Sequence, residues 1–117
     1  MYSVVLLIGS TKFKEVFLEV EEKLALRGYL VFTPSVYNQS GEVPECGVDT
    51  KKILDTAAKM KVCRSDIVIV IDKDGYIGKS TKNQIEWAEL LNKPVLYYSH
   101  GDVDKLWGII ILQKLIC

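Results

Sequence analysis

Two stretches of the chain, Tyr2 to Ile8 and Asp66 to Asp72, are apolar and largely β-branched through their interiors. A strand with one wet face alternates apolar and polar residues, whereas a run without alternation reads as a strand covered on both faces. Each run ends in small or turn-forming residues and is followed by a segment of helical period. After the first run, Gly9-Ser10 leads into Phe13, Val16, Phe17, Val20 and Leu24, interleaved with Glu15, Glu19, Glu22 and Lys23, and Arg27-Gly28 closes the helix. Shorter strands are predicted at Tyr29 to Thr33, stopped by Pro34, and at Pro94 to Tyr98. Further helices are predicted from an Asp49 cap to about Arg64, with Ile53, Ala57, Met60 and Val62 or Cys63 inward, from about Ser80 to Asn92, and from Val103 to about Ile116.

Strict alternation of strand and helix predicts an α/β chain with a parallel sheet of about four strands and helices on both faces, because each crossover is right-handed. This is a small Rossmann-like or flavodoxin-like three-layer fold. A chain of 117 residues accommodates one domain, 1–117, and buries roughly 65% of its unfolded surface, enough for a core without covalent or metal staples. Ligands of such sheets sit beyond the carboxyl ends of the strands, where the strand order reverses. Three segments are therefore candidates: Gly9 to Lys12, the loop after Thr33, and Asp72 to Thr81. The second of these, Pro34 to Val48, is aperiodic and longer than the usual connection of about 4–6 residues, as lids and binding loops often are.

Charge limits what those segments hold. Fifteen Lys and Arg balance fifteen Asp and Glu, so the chain lacks the cationic excess with which a binder of polymeric nucleic acid neutralises many phosphates. An anionic ligand must be small and held largely by backbone amides. Cys46, Cys63 and Cys117 show neither CxxC nor Cys/His spacing, which argues against a disulfide framework or zinc site and predicts a reducing, cytoplasmic setting with no metal or cofactor. The apolar runs Val4 to Ile8 and Gly108 to Leu112 are too short to span a bilayer, and no membrane partner is expected.

Gly9, Ser10, Thr11 and Lys12 join the first strand to the first helix and combine close backbone approach, two hydroxyls and an ammonium at a helix N-terminus. Helix capping by Ser10 or Thr11 is the plainer role, compatible with the first. The loop Asp72-Lys73-Asp74-Gly75-Tyr76-Ile77-Gly78-Lys79-Ser80-Thr81 ends like a P-loop, but Lys73 occupies the position that motif reserves for its first glycine. What remains is a loop with Gly75 and Gly78 that delivers Ser80 and Thr81 to a helix N-terminus, a second anion cradle or a Ser/Thr cap. Asp72 and Asp74 could each accept a sugar hydroxyl or bond the local backbone. In the following helix, Ile85, Ala88 and Leu91 define an apolar arc that contains Gln84, while Glu86 projects to nearly the opposite side. A buried amide needs a partner, so Gln84 meets either backbone or ligand. His100 has no evident partner, and Trp87 and Trp107 read as packing or interface residues.

Together, Ile8-Gly9-Ser10-Thr11, Gly28-Tyr29-Leu30-Val31, Ser65 to Val70, Gly75-Tyr76-Ile77-Gly78-Lys79-Ser80-Thr81, and Ile85-Glu86-Trp87-Ala88-Glu89 to Val95 resemble the nucleoside 2-deoxyribosyltransferase-like family, over most of the chain up to about Tyr98. The resemblance implies a small Rossmann-like fold, a dimer that shares active-site residues, and cleavage of the N-glycosidic bond of a deoxynucleoside or its monophosphate through a glutamate nucleophile, the product depending on whether a base or water attacks the intermediate. It further implies that the loops at Gly9-Ser10 and Ser80 receive the sugar or phosphate. Two positions depart from the family pattern. The glutamate expected four residues before Ala88 is Gln84, and the helical aspartate expected about eight residues before the third strand's aspartate falls at Ala58; Glu86 is the nearest carboxylate. The candidate catalytic positions are therefore Gln84 and Glu86, and the alternative is a noncatalytic nucleotide-binding or sensing module on the same fold. The apolar C-terminal segment, Leu106, Trp107, Ile109 to Leu112, Leu115 and Ile116, exceeds one core-facing stripe and points to homodimerisation.

Other proteins of this architecture fit less well. The first strand is followed by Gly9-Ser10 where a response-regulator receiver carries an acidic pair, where a flavodoxin has a longer phosphate loop, and where a dinucleotide fold shows GxGxxG.

Overall fold

The computed structural model describes residues 4–34 and 50–106. The predicted loop beyond Pro34, the Asp49 cap and the terminal helix beyond Leu106 lie outside these residues, with Cys46, Trp107 and Cys117.

The elements follow the alternation of the sequence: β1 (Val4–Gly9), α1 (Lys14–Leu26), β2 (Leu30–Phe32), α2 (Thr50–Arg64), β3 (Ile67–Ile71), α3 (Lys79–Leu90) and β4 (Val95–Tyr97), then a helical segment over 102–106. Short 3-10 turns at Thr11–Phe13, Lys73–Gly75 and Tyr98–His100 carry the chain away from β1, β3 and β4. The strands form one sheet in the order β2-β1-β3-β4, all parallel. This is the small Rossmann-like or flavodoxin-like α/β fold that the sequence pattern predicts.

The two apolar runs become the two central strands, and their side chains divide between the faces as the two-residue strand period requires. Val5, Leu7, Ile69 and Ile71 pack with Val16, Phe17, Val20 and Leu24 of α1 and with Val103 and Leu106. Leu6, Ile8, Val68 and Val70 pack on the other face with Val62 of α2 and Ala88 of α3. All eight strand residues are at most 2% exposed, which is why neither run alternates with polar residues.

Polar ties fix the ends of the layers. Asp66 accepts the Val4 amide at 2.8 Å, joining the starts of β3 and β1. Tyr29 donates its hydroxyl to the Leu106 carbonyl at 3.2 Å, and burial raises its phenol pKa above the ordinary value. Asp102 accepts the Tyr97 amide at 2.9 Å and the Lys105 ammonium at 2.7 Å, and these bonds hold its carboxyl below the usual aspartate value.

One helix sits in a different phase from the sequence expectation. Ile53 and Met60 are each 48% exposed and Cys63 is exposed, whereas Leu54, Ala57, Ala58 and Lys61 turn inward beside Val62. The bulkiest apolar residues suggest the wrong phase because most of the inward arc of α2 faces a cleft rather than packed core.

Candidate ligand cleft

From β1 the chain crosses to β2 over one face of the sheet, and from β3 it crosses to β4 over the other. The carboxyl ends of β1 and β3 therefore flank the topological switch point. Gly9 pairs with Ile71 there at φ +149°, and a Cβ on it would lie 2.7 Å from the Ile71 carbonyl oxygen. Only glycine fits: the strand ends meet too closely for a side chain, and the backbone lies where L-residues are strained.

The crevice opens into three adjoining hollows. The innermost, about 200 Å³, is walled by Leu6 to Gly9 and Thr11, by Thr33 and Pro34, by Leu54, Ala57, Ala58 and Lys61 of α2, and by Ser80 and Gln84 of α3. A second, about 330 Å³, lies between Gly9 to Thr11 and the stretch Tyr76 to Thr81. A third, about 260 Å³, runs outward between α2 and α3. Ser80 lines all three, and Ala58 and Gln84 line both the first and the third.

Gly9, Ser10, Thr11, Tyr76, Gly78, Ser80 and Thr81 therefore come together, as the sequence predicts for the two loops. Gly78, with extended backbone, is the N-cap of α3, so Ser80 and Thr81 lie inside the first turn rather than capping it. The first-turn amides, which no helical carbonyl satisfies, lie beside the second hollow. Ser10 accepts the Lys12 amide at a long 3.4 Å as N-cap of the turn that follows β1. The Lys12 ammonium lies 3.4 Å from the centre of the Tyr76 ring, and Phe13 meets the same ring edge-on at 6.0 Å. This cluster ties the loop after β1 to the loop after β3 at the mouth of the crevice.

Gln84 reaches the cleft and Glu86 does not. Gln84 is half-buried and lines two of the hollows together with Ser80 and Ala58, while Glu86 is exposed and is not among the residues that line them. Of the helix's apolar arc, Ala88 is fully buried and Leu91 is 46% exposed.

Asp72 and Asp74 are not among the residues that line the three hollows. Asp72 is buried at the end of β3 with its two oxygens accepting the Ser99 amide at 2.8 Å and the Ser99 hydroxyl at 2.6 Å. Its carboxylate bonds reach Ser99, 27 residues on, rather than its own neighbouring backbone. Asp74 is exposed in a left-handed turn at φ +56°, and Gly75 follows it at φ +77° with open space around it. Both shape the loop from outside the cleft. His100 rests against Tyr97, ring centres 5.0 Å apart, in the turn after β4 and outside the lining of the three hollows.

Several lining residues were not expected from sequence. Lys61 donates to the Thr33 carbonyl at 2.7 Å, and burial lowers its pKa below the ordinary lysine value. Asp55, Lys59 and Trp87 line the outer groove, with the Lys59 ammonium 4.9 Å from the Trp87 ring centre. The available signal was Ala57-Ala58 set among lysines, where a core helix would carry larger apolar residues. Among the described residues, no three His, Cys, Asp or Glu side chains converge as a metal site, and no helix is long and apolar enough to cross a membrane.

No protein-family model matches the chain, and comparison with curated proteins finds no match either. What fold and geometry define is a small doubly wound α/β protein with a cleft at its switch point.

Proposed function

We propose that this chain binds a nucleoside or nucleotide in the switch-point cleft, as a noncatalytic member of the nucleoside 2-deoxyribosyltransferase-like kind. The observation that carries the reading is Gln84, which lines the inner cleft beside Gly9, Thr11 and Ser80. It supports ligand recognition over the covalent reaction, because a neutral amide has no ionised oxygen to form a glycosyl ester. It is suited to hydrogen-bond a sugar hydroxyl or base edge, offering both donors and an acceptor. The free α3 amides beside Ser80 and Thr81 suit a phosphate.

Calorimetry against nucleosides and their 5′-monophosphates, with base release followed in parallel, tests this. Binding without turnover is the expected result; absence of binding across that panel rejects it. A second reading, transfer or hydrolysis at the N-glycosidic bond, draws on the order of the motifs along the chain and on the Asp55 carboxylate, which lines the outer groove together with Gln84. Released or exchanged base in the same assay would select it. The apolar C-terminal sequence supports a homodimer, which sedimentation of the full chain tests.

A further inference from the structure

We propose that the outer groove between α2 and α3 is a second anionic subsite, which receives the phosphate beyond the first in a ligand whose nucleoside end occupies the inner cleft. This rests on the nucleotide-binding reading above and narrows its ligand to nucleotides with more than one phosphate.

Three observations support it. The first is continuity: Ser80, Gln84 and Ala58 line both the inner hollow and the outer groove, where the two meet, and Lys79 and Ser80 line both that groove and the second hollow, beside which the first phosphate would meet the α3 amides. Ala58 sits on the α2 side of that meeting point, where a longer side chain would narrow it. The second is size. The inner hollow of about 200 Å³ falls below the usual range of roughly 300–1,000 Å³ for small-molecule sites, so a ligand of ordinary size seated there reaches into the neighbouring space.

The third is charge. Lys51, Lys59 and Lys79 line the groove against the single carboxylate of Asp55. The whole chain is neutral, yet α2 carries Lys51, Lys52, Lys59, Lys61 and Arg64 against Asp55, while α1 on the opposite face carries Glu15, Glu19, Glu21 and Glu22 against Lys14 and Lys23. The positive half of that distribution is the half that contains the groove, and its field draws an anion towards the cleft. Trp87 forms the groove's aromatic wall with the Lys59 ammonium at its ring. Such a wall also accommodates a planar group attached to the distal phosphate.

Titration calorimetry of the full chain with deoxynucleoside mono-, di- and triphosphates, and with a dinucleotide joined through pyrophosphate, tests the proposal. The expected result is affinity for the diphosphate at least about tenfold above the monophosphate, with that preference shrinking as salt rises. In a Lys51→Glu, Lys59→Glu variant the ratio of the two affinities should fall to about one. Both side chains are exposed, and Lys51→Ala, Lys59→Ala provides a milder second variant. Equal affinities in the unaltered protein, or a preference that survives both variants, overturns the subsite while leaving monophosphate binding standing. No binding of any nucleotide overturns both readings together. Trp87 fluorescence, with Trp87→Phe as the control for Trp107, separates the sources: quenching by the dinucleotide alone identifies a distal base, and equal responses to it and the diphosphate identify the phosphate as the recognised group.

Discussion

Asp72 at the end of β3 holds Ser99 through both of its carboxylate oxygens, accepting the amide at 2.8 Å and the hydroxyl at 2.6 Å. The pair fastens the turn after β4 to the strand end beside the cleft.

Asp72 is buried while Ser99 is exposed, so removing the carboxylate loses two charge-assisted bonds without stranding a buried donor, and Asp72→Ala should destabilise the fold by about 1–3 kcal/mol. Ser99→Ala, which keeps the amide bond, should cost less. Denaturant unfolding of both variants checks this. A fall in ligand affinity with unchanged stability in Asp72→Ala would instead make Asp72 a ligand contact.

Gly9→Ala places a methyl group 2.7 Å from the Ile71 carbonyl oxygen on backbone at φ +149°. Strain of that kind costs about 1–3 kcal/mol before any clash is counted. The variant should melt several degrees lower, and forcing β1 from β3 should also weaken ligand binding at the crevice. A thermal shift below one degree would contradict the close packing described for this strand pair.

Gln84 and Glu86 should separate cleanly. Gln84→Ala should weaken nucleotide binding about tenfold, the loss of roughly one well-made hydrogen bond. Glu86→Gln, at an exposed position, should change stability by less than about 0.5 kcal/mol and leave affinity alone. Gln84→Glu restores an ionisable oxygen in the cleft, and base release from a deoxynucleoside, with a glycosyl adduct in the intact mass, should rise above that of the unaltered chain. If Glu86→Gln and not Gln84→Ala impaired binding, the assignment of helix face would be wrong.

Asp102 gives the fold an acid dependence of known sign. Its bonds to Lys105 and to the Tyr97 amide hold the folded-state pKa below the ordinary 3.8. The unfolded chain therefore takes up the proton first as pH falls, and the stabilisation, full above pH 3.8, is lost as the pH drops through the lower folded value. Asp102→Asn should flatten this part of the acid limb in unfolding experiments between about pH 2.5 and 7. Tyr29 acts at the opposite end: burial raises its pKa above 10.0, so its contribution is present below that value and is lost as the pH rises through the folded one.

Among the described residues, the apolar runs and the helical spacings determined by themselves which segments are strands, which are helices, and that the sheet is parallel. These follow from local period and from burial on both faces, quantities a sequence carries directly. The loops at Gly9 to Thr11 and Tyr76 to Thr81 were legible for the same reason, since parallel topology sends both to one end of the sheet. Even the direction of Gln84 followed, because a helical residue four positions before the buried Ala88 shares its face.

Tertiary structure alone decided the rest. The phase of α2 depends on whether its neighbour is core or cleft: Ile53 and Met60 are half-exposed, while the inner side of the helix borders the cleft through Ala57, Ala58 and Lys61. Apolar spacing alone does not distinguish a helix that fills a core from one that walls a cleft, and the small pair Ala57-Ala58 among lysines is the local hint of the second. The fate of Asp72 was equally out of reach, since its partner Ser99 lies 27 residues away across a strand and helix. Local sequence sets periodicity and topology, whereas the occupants of a carboxylate's lone pairs and the shape of a cavity depend on contacts between distant segments, which only the assembled layers bring together.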